Sequence, residues 1–223
     1  AGFSRDIFKM AKGTSTLIVP IVSSARLALT SKKLGVPAVV VEGVEAGGHL
    51  GTDRSIKELL PEVREAVGPD LPVIGAGGFY NGSQIKEFFD LGANAVQIAT
   101  RFVLAEECNV ARSFKEHYQR AREEDVVFIA SPVGMPGHAL KTELVKKIVD
   151  NNAPPPVGCD YCLKRCSLVY CIIQALINAQ QGDLDNGVVF SGQNVWRIKD
   201  RTIKPAAEIV SDILKEYEES INA

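Results

Sequence analysis

Along the N-terminal half of the chain, apolar residues come in short runs: Leu17 to Val22, Ala38 to Val41, Val73 to Ile74 with a glycine tail, and Ala95 to Ala99. None of these runs alternates with polar residues, so each predicts a strand buried on both faces, as in a parallel sheet. Between them, Ala25 to Leu34, Ser55 to Val67 and Ser83 to Leu91 carry apolar residues at helical spacing. Gly35, Gly68 and Gly92 stand where left-handed residues close helices. The predicted order is a repeated βα unit, hence an α/β fold.

Beyond Phe102 the rhythm changes. A helical run from Asn109 to Arg122 leads into the loop Ser131-Pro-Val-Gly-Met-Pro-Gly-His138 and then into a helix ending near Asp150. This predicts a helical cap inserted after the strands. Asn151 to Gly158 holds three consecutive prolines, which exclude helix and predict a stiff connector. A helix over Leu168 to Ala179, an extended stretch over Val188 to Ile198 and a closing helix over Ala206 to Ile221 follow. Ile209, Ile213 and Tyr217 share one face of that last helix, which is expected to return over the sheet. The reading divides the chain into residues 1–104, a cap over 105–158, and a cysteine-containing segment with the closing helix over 159–223. A sheet of about four parallel strands with a two-sided core needs further strands or a partner to close a barrel.

The totals narrow the function classes. A length of 223 residues with 46% hydrophobic content suits one large domain, or a domain with an appendage. The 25 basic and 27 acidic residues leave a net charge of -2 with no basic cluster, which argues against a nucleic-acid partner. No window approaches the roughly 18 to 20 apolar residues of a membrane span, and AGFSRDIFKM lacks a signal peptide's apolar stretch. The expectation is a cytoplasmic protein without a membrane partner.

Two small-residue turns follow predicted strands: Gly75-Ala-Gly77-Gly78, and Gln97-Ile98-Ala99-Thr100-Arg101-Phe102. In (β/α)8 barrels a phosphate commonly rests between loops after neighbouring strands, where glycine lets backbone N–H groups approach and a helix N-terminus adds a favourable dipole. Thr100 offers a hydroxyl to a phosphate oxygen, and Arg101 reads as structural or as a gate. A third loop, Glu42-Gly-Val-Glu-Ala-Gly47-Gly48-His49-Leu-Gly51, also follows a strand. An imidazole there, with an ordinary pKa of about 6.5, suits proton transfer at neutral pH. Glu42 and Glu45 are weaker candidates. His138 is placed to reach a substrate or to cap the following helix, whereas His117, mid-helix beside Lys115 and Glu116, is expected to face solvent.

Cys159-x2-Cys162-x3-Cys166-x4-Cys171 has the density of a zinc or iron–sulfur site but matches no standard spacing. Buried or free thiols are the preferred reading of the four; a metal, of unknown identity, and a disulfide or redox switch are the alternatives. Cys108 stands apart as an inert thiol.

The stretches PIVSSARLAL, GVPAVVVEGVEAGGHLGTDRSIKELLPEV, PVIGAGGF and GANAVQIATRFVLAEECN occur in this order and are followed by SPVGMPGHALKT and NGVVFSGQNVWRIKD. Together they resemble the nitronate monooxygenase (2-nitropropane dioxygenase) family and its sister group, the flavin-type enoyl-acyl carrier protein reductases. EAGGHLG is the most specific part. The resemblance implies a TIM (β/α)8 barrel of the FMN-dependent oxidoreductase type, of which this chain holds the C-terminal half-barrel of about four βα units plus the inserted cap. It also implies that Gly47 and Gly48 adjoin the flavin, that Gly77, Gly78, Gln97, Ile98, Ala99 and Thr100 hold its phosphate, and that His49 is the catalytic acid or base. Glu42 belongs to the same cofactor-binding loop, and Gln97 would turn its amide to a flavin edge. The family usually has glycine at Ala99, whose methyl puts that one backbone contact in doubt.

Family members carry about four βα units ahead of this stretch, with a Gly-Gly-Met turn that packs on the isoalloxazine. Ala1-Gly2-Phe3 looks like the tail of the loop after the fourth strand, so the other half-barrel is expected to be lost, left out, or carried by a separate chain; a homodimer is also compatible. Three activities are open: oxidative denitrification of nitronates or nitroalkanes with O2, reduction of an enoyl thioester by NAD(P)H, and a non-catalytic phosphate-ligand module.

Overall fold

The computed structural model describes residues 5–163 and 165–223. Ala1-Gly2-Phe3, expected to end a preceding loop, lies outside the described residues. In order, the chain forms α1 (Arg5–Ala11), β1 (Ile21–Val22), α2 (Ala25–Lys33), β2 (Val39–Glu42), β3 (Gly48–His49), α3 (Ile56–Val67), β4 (Val73–Ala76), α4 (Ser83–Asp90), β5 (Ala95–Gln97), α5 (Arg112–Arg120), β6 (Val126–Ala130), β7 (Pro136–Leu140), α6 (Glu143–Val149), α7 (Ile172–Gln181), β8 (Val189–Phe190) and α8 (Ala206–Ile221). Two compact units result. The first holds the chain up to Ala46, Gly51–Ile98 and Ile213–Ala223; the second holds Gly47–Leu50 and Ala99–Asp212. Residues 105–158 and all of 159–212 therefore belong to one unit.

The first unit is built on a parallel sheet in the order β1-β2-β4-β5. Val39, Val40 and Val41 of β2 and Val73 and Ala76 of β4 are buried, as continuous β-branched runs require when both faces are covered. β1 is shorter than Leu17 to Val22 because Pro20 has no N–H to give a ladder; its carbonyl still accepts from Val40 N at 2.9 Å. Ser55 caps α3 by accepting from Lys57 N, and the helix turns Ile56, Leu59, Leu60, Val63 and Val67 inward. Each of these side chains contributes about 1.5 to 3 kcal/mol on burial. The Arg64 guanidinium then ties the bottom of the unit together, donating to Gly92 O at 2.8 Å, Gly68 O at 2.8 Å and Leu71 O at 3.0 Å, and to Asn94 Oδ1. Gly35, Gly68 and Gly92 have φ of 74°, 72° and 99°, as their place after helices predicts.

Within this unit the C-terminal turns of α8 pack along α4, from its N-cap Gly82 to Phe89 in its last turn. Tyr217 meets Phe89 edge-on, and Gly82 N donates to Glu216 Oε2 at 2.6 Å.

The second unit is not the helical cap that the sequence predicts. Its centre is an antiparallel sheet, β3-β7-β6, with β8 on β7. β6 and β7 form a hairpin around Ser131–Met135, closed by Gly134 N to Ser131 O at 2.9 Å and Ser131 N to Met135 O at 3.2 Å. Ile129, Ala139, Leu144, Val145, Ile148, Ile172, Ala175 and Val188 make its core. Thr142 caps α6, accepting from Val145 N at 3.1 Å while its hydroxyl donates to Gly187 O at 2.7 Å. α5 is half embedded: Lys115 is buried with Nζ on Ala105 O at 2.5 Å, and the His117 Nε2 is buried without a partner among the described residues. The expectation of a solvated His117 is thereby corrected.

Candidate functional site

In the first unit, the candidate residues collect at the C-terminal ends of the strands. Glu42 closes β2, half buried, and burial raises its carboxyl above the usual range. The turn after β4 takes a path that only glycine follows without strain: Gly77 has φ 97° and Gly78 φ 77°. A Cβ on Gly77 would also lie 3.1 Å from Ala46 N. Gln84 fixes this turn, accepting from Tyr80 N at 2.8 Å and Asn81 N at 3.1 Å while its amide donates to Gly78 O at 3.2 Å. At the end of β5, Gln97 is exposed, and Ile98 after it is half buried. Glu45 has a structural duty, since its carboxylate accepts from Ser55 Oγ at 2.5 Å and Ile56 N at 3.0 Å and so caps α3.

The chain continues from Ile98 into the second unit through Ala99, with Thr100 opening a short 3-10 turn, Thr100–Leu104. Ala99 has φ -124° and ψ -49°, so its backbone is not in the left-handed region that would call for the family's glycine. Arg101 is buried.

Also in the second unit, Gly47, Gly48 and His49 are drawn into the antiparallel sheet. Gly48 pairs with His138 and His49 with Gly137. Gly47 runs so close to the β8 end that a Cβ would sit 2.6 Å from Ser191 C, whereas a Cβ on Gly48, at φ 81°, would meet nothing within 4 Å. The His49 ring stands edge-on to Phe190 at 5.0 Å, and its Nε2 lies 2.7 Å from Ser131 Oγ. Burial lowers the His49 pKa from 6.5, favouring neutral imidazole. Ser131 is buried and also hydrogen-bonds Tyr170, whose OH donates to Ala130 O at 3.1 Å. Burial pushes the Tyr170 phenol up to about 12, so it remains a donor. The result is a polar chain, His49–Ser131–Tyr170, half buried at His49 and buried at Ser131 and Tyr170. Close by, Ser191 N donates to His138 O at 3.2 Å, and the buried Ser191 Oγ has no partner among the described residues.

His138 is not on a loop. It lies in β7, 2% exposed, with its ring 4.1 Å from that of Phe128, and Thr142 rather than His138 caps α6. Ser131, Tyr170, Phe190 and Ser191 were not marked by the sequence, because pairing across the sheet, not a local motif, brings them to His49. The four clustered cysteines carry free thiols, and among the described residues no three His, Cys, Asp or Glu side chains converge to hold a metal. Nor is any described helix long and apolar enough to cross a membrane.

The nitronate monooxygenase family model matches residues 3–216. A (3aS,4S,5R,7aS)-5-hydroxy-7a-methyl-1-oxo-octahydro-1H-indene-4-carboxyl-CoA dehydrogenase of Rhodococcus jostii is 34% identical over 65% of this chain and 40% of its own. A probable nitronate monooxygenase of Staphylococcus aureus is 27% identical over 96% of this chain and 59% of its own. Among solved structures, FabK from Thermotoga maritima aligns with a TM-score of 0.81 and 30% identity, over 100% of this chain and 67% of that one. Nitroalkane oxidase from Streptomyces ansochromogenes aligns at 0.75 and 25%, over 98% and 62%. The chain thus spans about 40 to 60% of the curated relatives it matches. The α/β fold with its parallel sheet matches these TIM-barrel oxidoreductases. With EAGGHLG at the start of an antiparallel sheet and a family match over nearly its whole length, the chain belongs to the nitronate monooxygenase family.

Proposed function

We propose that this chain serves an FMN-dependent nitronate monooxygenase, and that its sheet is the C-terminal half of a (β/α)8 barrel. The observation that carries the activity is His49, half buried within the family's most specific motif, with its Nε2 2.7 Å from the buried Ser131 Oγ. The half-barrel is supported by the outer position of β1, where Leu17, Val19 and Ile21 are exposed, while the inner β2 is buried. Free thiols fit a reducing, cytoplasmic setting.

The residues present fit the cofactor. In the first unit, Gly77 and Gly78 hold a backbone path free of Cβ atoms, as a phosphate turn needs, with Gln97 and Ile98 at the end of β5 and Glu42 closing β2; on the family's pattern Ala99 and Thr100 would continue the second turn. A Cβ on Gly48 would meet nothing within 4 Å, so this loop would leave room for the cofactor. Bound FMN supplies the electron transfer and the reaction with oxygen. The chain supplies proton control. His49, held neutral by burial, removes the α-proton of a neutral nitroalkane or hydrogen-bonds the oxygens of an anionic nitronate; Ser131 fixes its ring, and Tyr170 fixes Ser131. His138 supports this strand from the neighbouring β7 rather than from a loop.

Enoyl-thioester reduction with NAD(P)H is the second reading, favoured by the likeness to FabK at a TM-score of 0.81. There His49 would protonate the α-carbon. Mixing flavin-loaded protein anaerobically with a nitronate, and separately with NADH or NADPH, distinguishes the two. Bleaching of the flavin absorbance by nitronate is expected. Bleaching by the nicotinamide alone would transfer the assignment to the reductase, and a yellow protein bleached by neither would be a phosphate-ligand module.

A further inference from the structure

We propose that the reacting atom of His49 is Nδ1, and that Ser131 and Tyr170 are positioning residues that hold the ring in its Nε2–H tautomer. The inference rests on the reading of His49 as a base and adds which of its two nitrogens takes the proton. Each hydroxyl of the polar chain has one proton to give, so the last acceptor decides where all of them point.

That acceptor is the Ala130 carbonyl, at the end of the edge strand β6, to which the Tyr170 OH donates at 3.1 Å. With its only proton spent there, the Tyr170 oxygen meets Ser131 as an acceptor, and the Ser131 hydroxyl donates to it. Burial raises the Tyr170 phenol to about 12, and the Ser131 bond works against that rise, as a donor to the phenol oxygen does. Ser131 and Tyr170 are 7% and 2% exposed, so water has little access to either hydroxyl. Ser131 has thus spent its own proton, and its Oγ, 2.7 Å from His49 Nε2, is left to accept from an Nε2–H. A neutral imidazole carries one proton, which leaves the lone pair on Nδ1. Nδ1 has no hydrogen-bond partner among the described residues.

The ring is also held from the side. Phe190 stands edge-on to it at 5.0 Å, and the Tyr118 OH anchors that residue by donating to the Phe190 carbonyl. Gly137, the register partner of His49, makes the approach possible, since a Cβ there would lie 2.9 Å from Phe190 Cε1. When a neutral nitroalkane is deprotonated, its α C–H bond breaks, the electron pair stays on the substrate as the nitronate, and the proton joins the Nδ1 lone pair. The imidazolium so formed keeps its Nε2–H on Ser131, and the Nδ1 proton later leaves to solvent.

The test is nitrogen-15 NMR of the histidine-labelled chain at a pH above 6.5, where His49 is neutral, with His49→Gln identifying its signals. A protonated Nε2 and a bare Nδ1 are expected. Tyr170→Phe removes a hydroxyl that does not touch the ring and frees the Ser131 proton to turn to Nε2. The ratio of Nε2–H to Nδ1–H should then fall about two- to tenfold, the scale of one hydrogen bond, and Ser131→Ala should lower it by a similar factor. In Tyr170→Phe the turnover of nitroethane relative to ethyl nitronate should fall in step, because only the neutral substrate needs the base. A predominant Nδ1–H tautomer in the unaltered chain would overturn the proposal whether or not either variant folds. So would a ratio unchanged in both variants, or an equal fall in turnover of both substrates. The tautomer is read without turnover, so its failure would leave the nitronate assignment standing, and a flavin bleached by neither substrate would sink that assignment without moving the NMR result.

Discussion

In the parallel sheet, β2 is Val-Val-Val-Glu and polarity begins only where the strand ends; in the antiparallel sheet, β7 carries a buried histidine at its middle and pairs with the two-residue strand Gly48–His49. The parallel strands can offer a ligand only backbone and glycine turns, because any polar group along them would lose its water without gaining a partner. The antiparallel strands hold imidazoles because Ser131, Tyr170 and Phe190 surround His49 with partners. Under the proposed function, one sheet would grip a charged group by its amides and the other would set the protonation of a side chain.

The division can be broken most severely in the apolar layer. Leu60→Ala, at a fully buried position of α3, should cost about 2 to 5 kcal/mol in denaturant unfolding. A loss under about 1 kcal/mol would mean α3 does not hold the parallel sheet in place. Gly77→Val sharpens the comparison at the turn: with φ at 97°, it should cost about 1 to 3 kcal/mol and weaken flavin retention, read by absorbance after dialysis, while His49 keeps its titration. Equal flavin retention would remove this turn from the grip.

The smallest effect lies in the polar chain. His49 has a pKa below the ordinary 6.5 because of burial, so its neutral form and the stability tied to it persist above 6.5 and decline only as pH falls through the lower folded value. Oxidation of a neutral nitroalkane should fall on that acid limb alone. Ser131→Ala should lower stability by about 0.5 to 1.5 kcal/mol and move the limb, measured as kcat/KM against pH. An inflection above 6.5 would show that burial does not govern this imidazole.

Much of the first unit was legible in the sequence for a physical reason. Strands buried on both faces, such as Val39–Glu42, need continuous apolar runs, and helices such as Ile56–Val67 need a polar cap at one end and glycine at the other. The antiparallel sheet was not legible. β3 and β8 are two residues each, too short to show a period, and their partners lie far along the chain, Gly48 against His138 and Leu140 against Val189. β7 begins Pro-Gly, which reads as a turn, so the sequence points to a loop at His138. His49 itself was legible from its motif; the hydroxyl that orients it was not, since Ser131 becomes its neighbour only when the hairpin folds back.

The most direct test of the assignment is the rate of anaerobic flavin bleaching by a neutral nitroalkane in His49→Ala against the unaltered protein, both loaded with FMN. The flavin should remain bound while the rate falls at least ~100-fold, the scale of losing a general base. Bleaching at an unchanged rate would contradict the role given to His49.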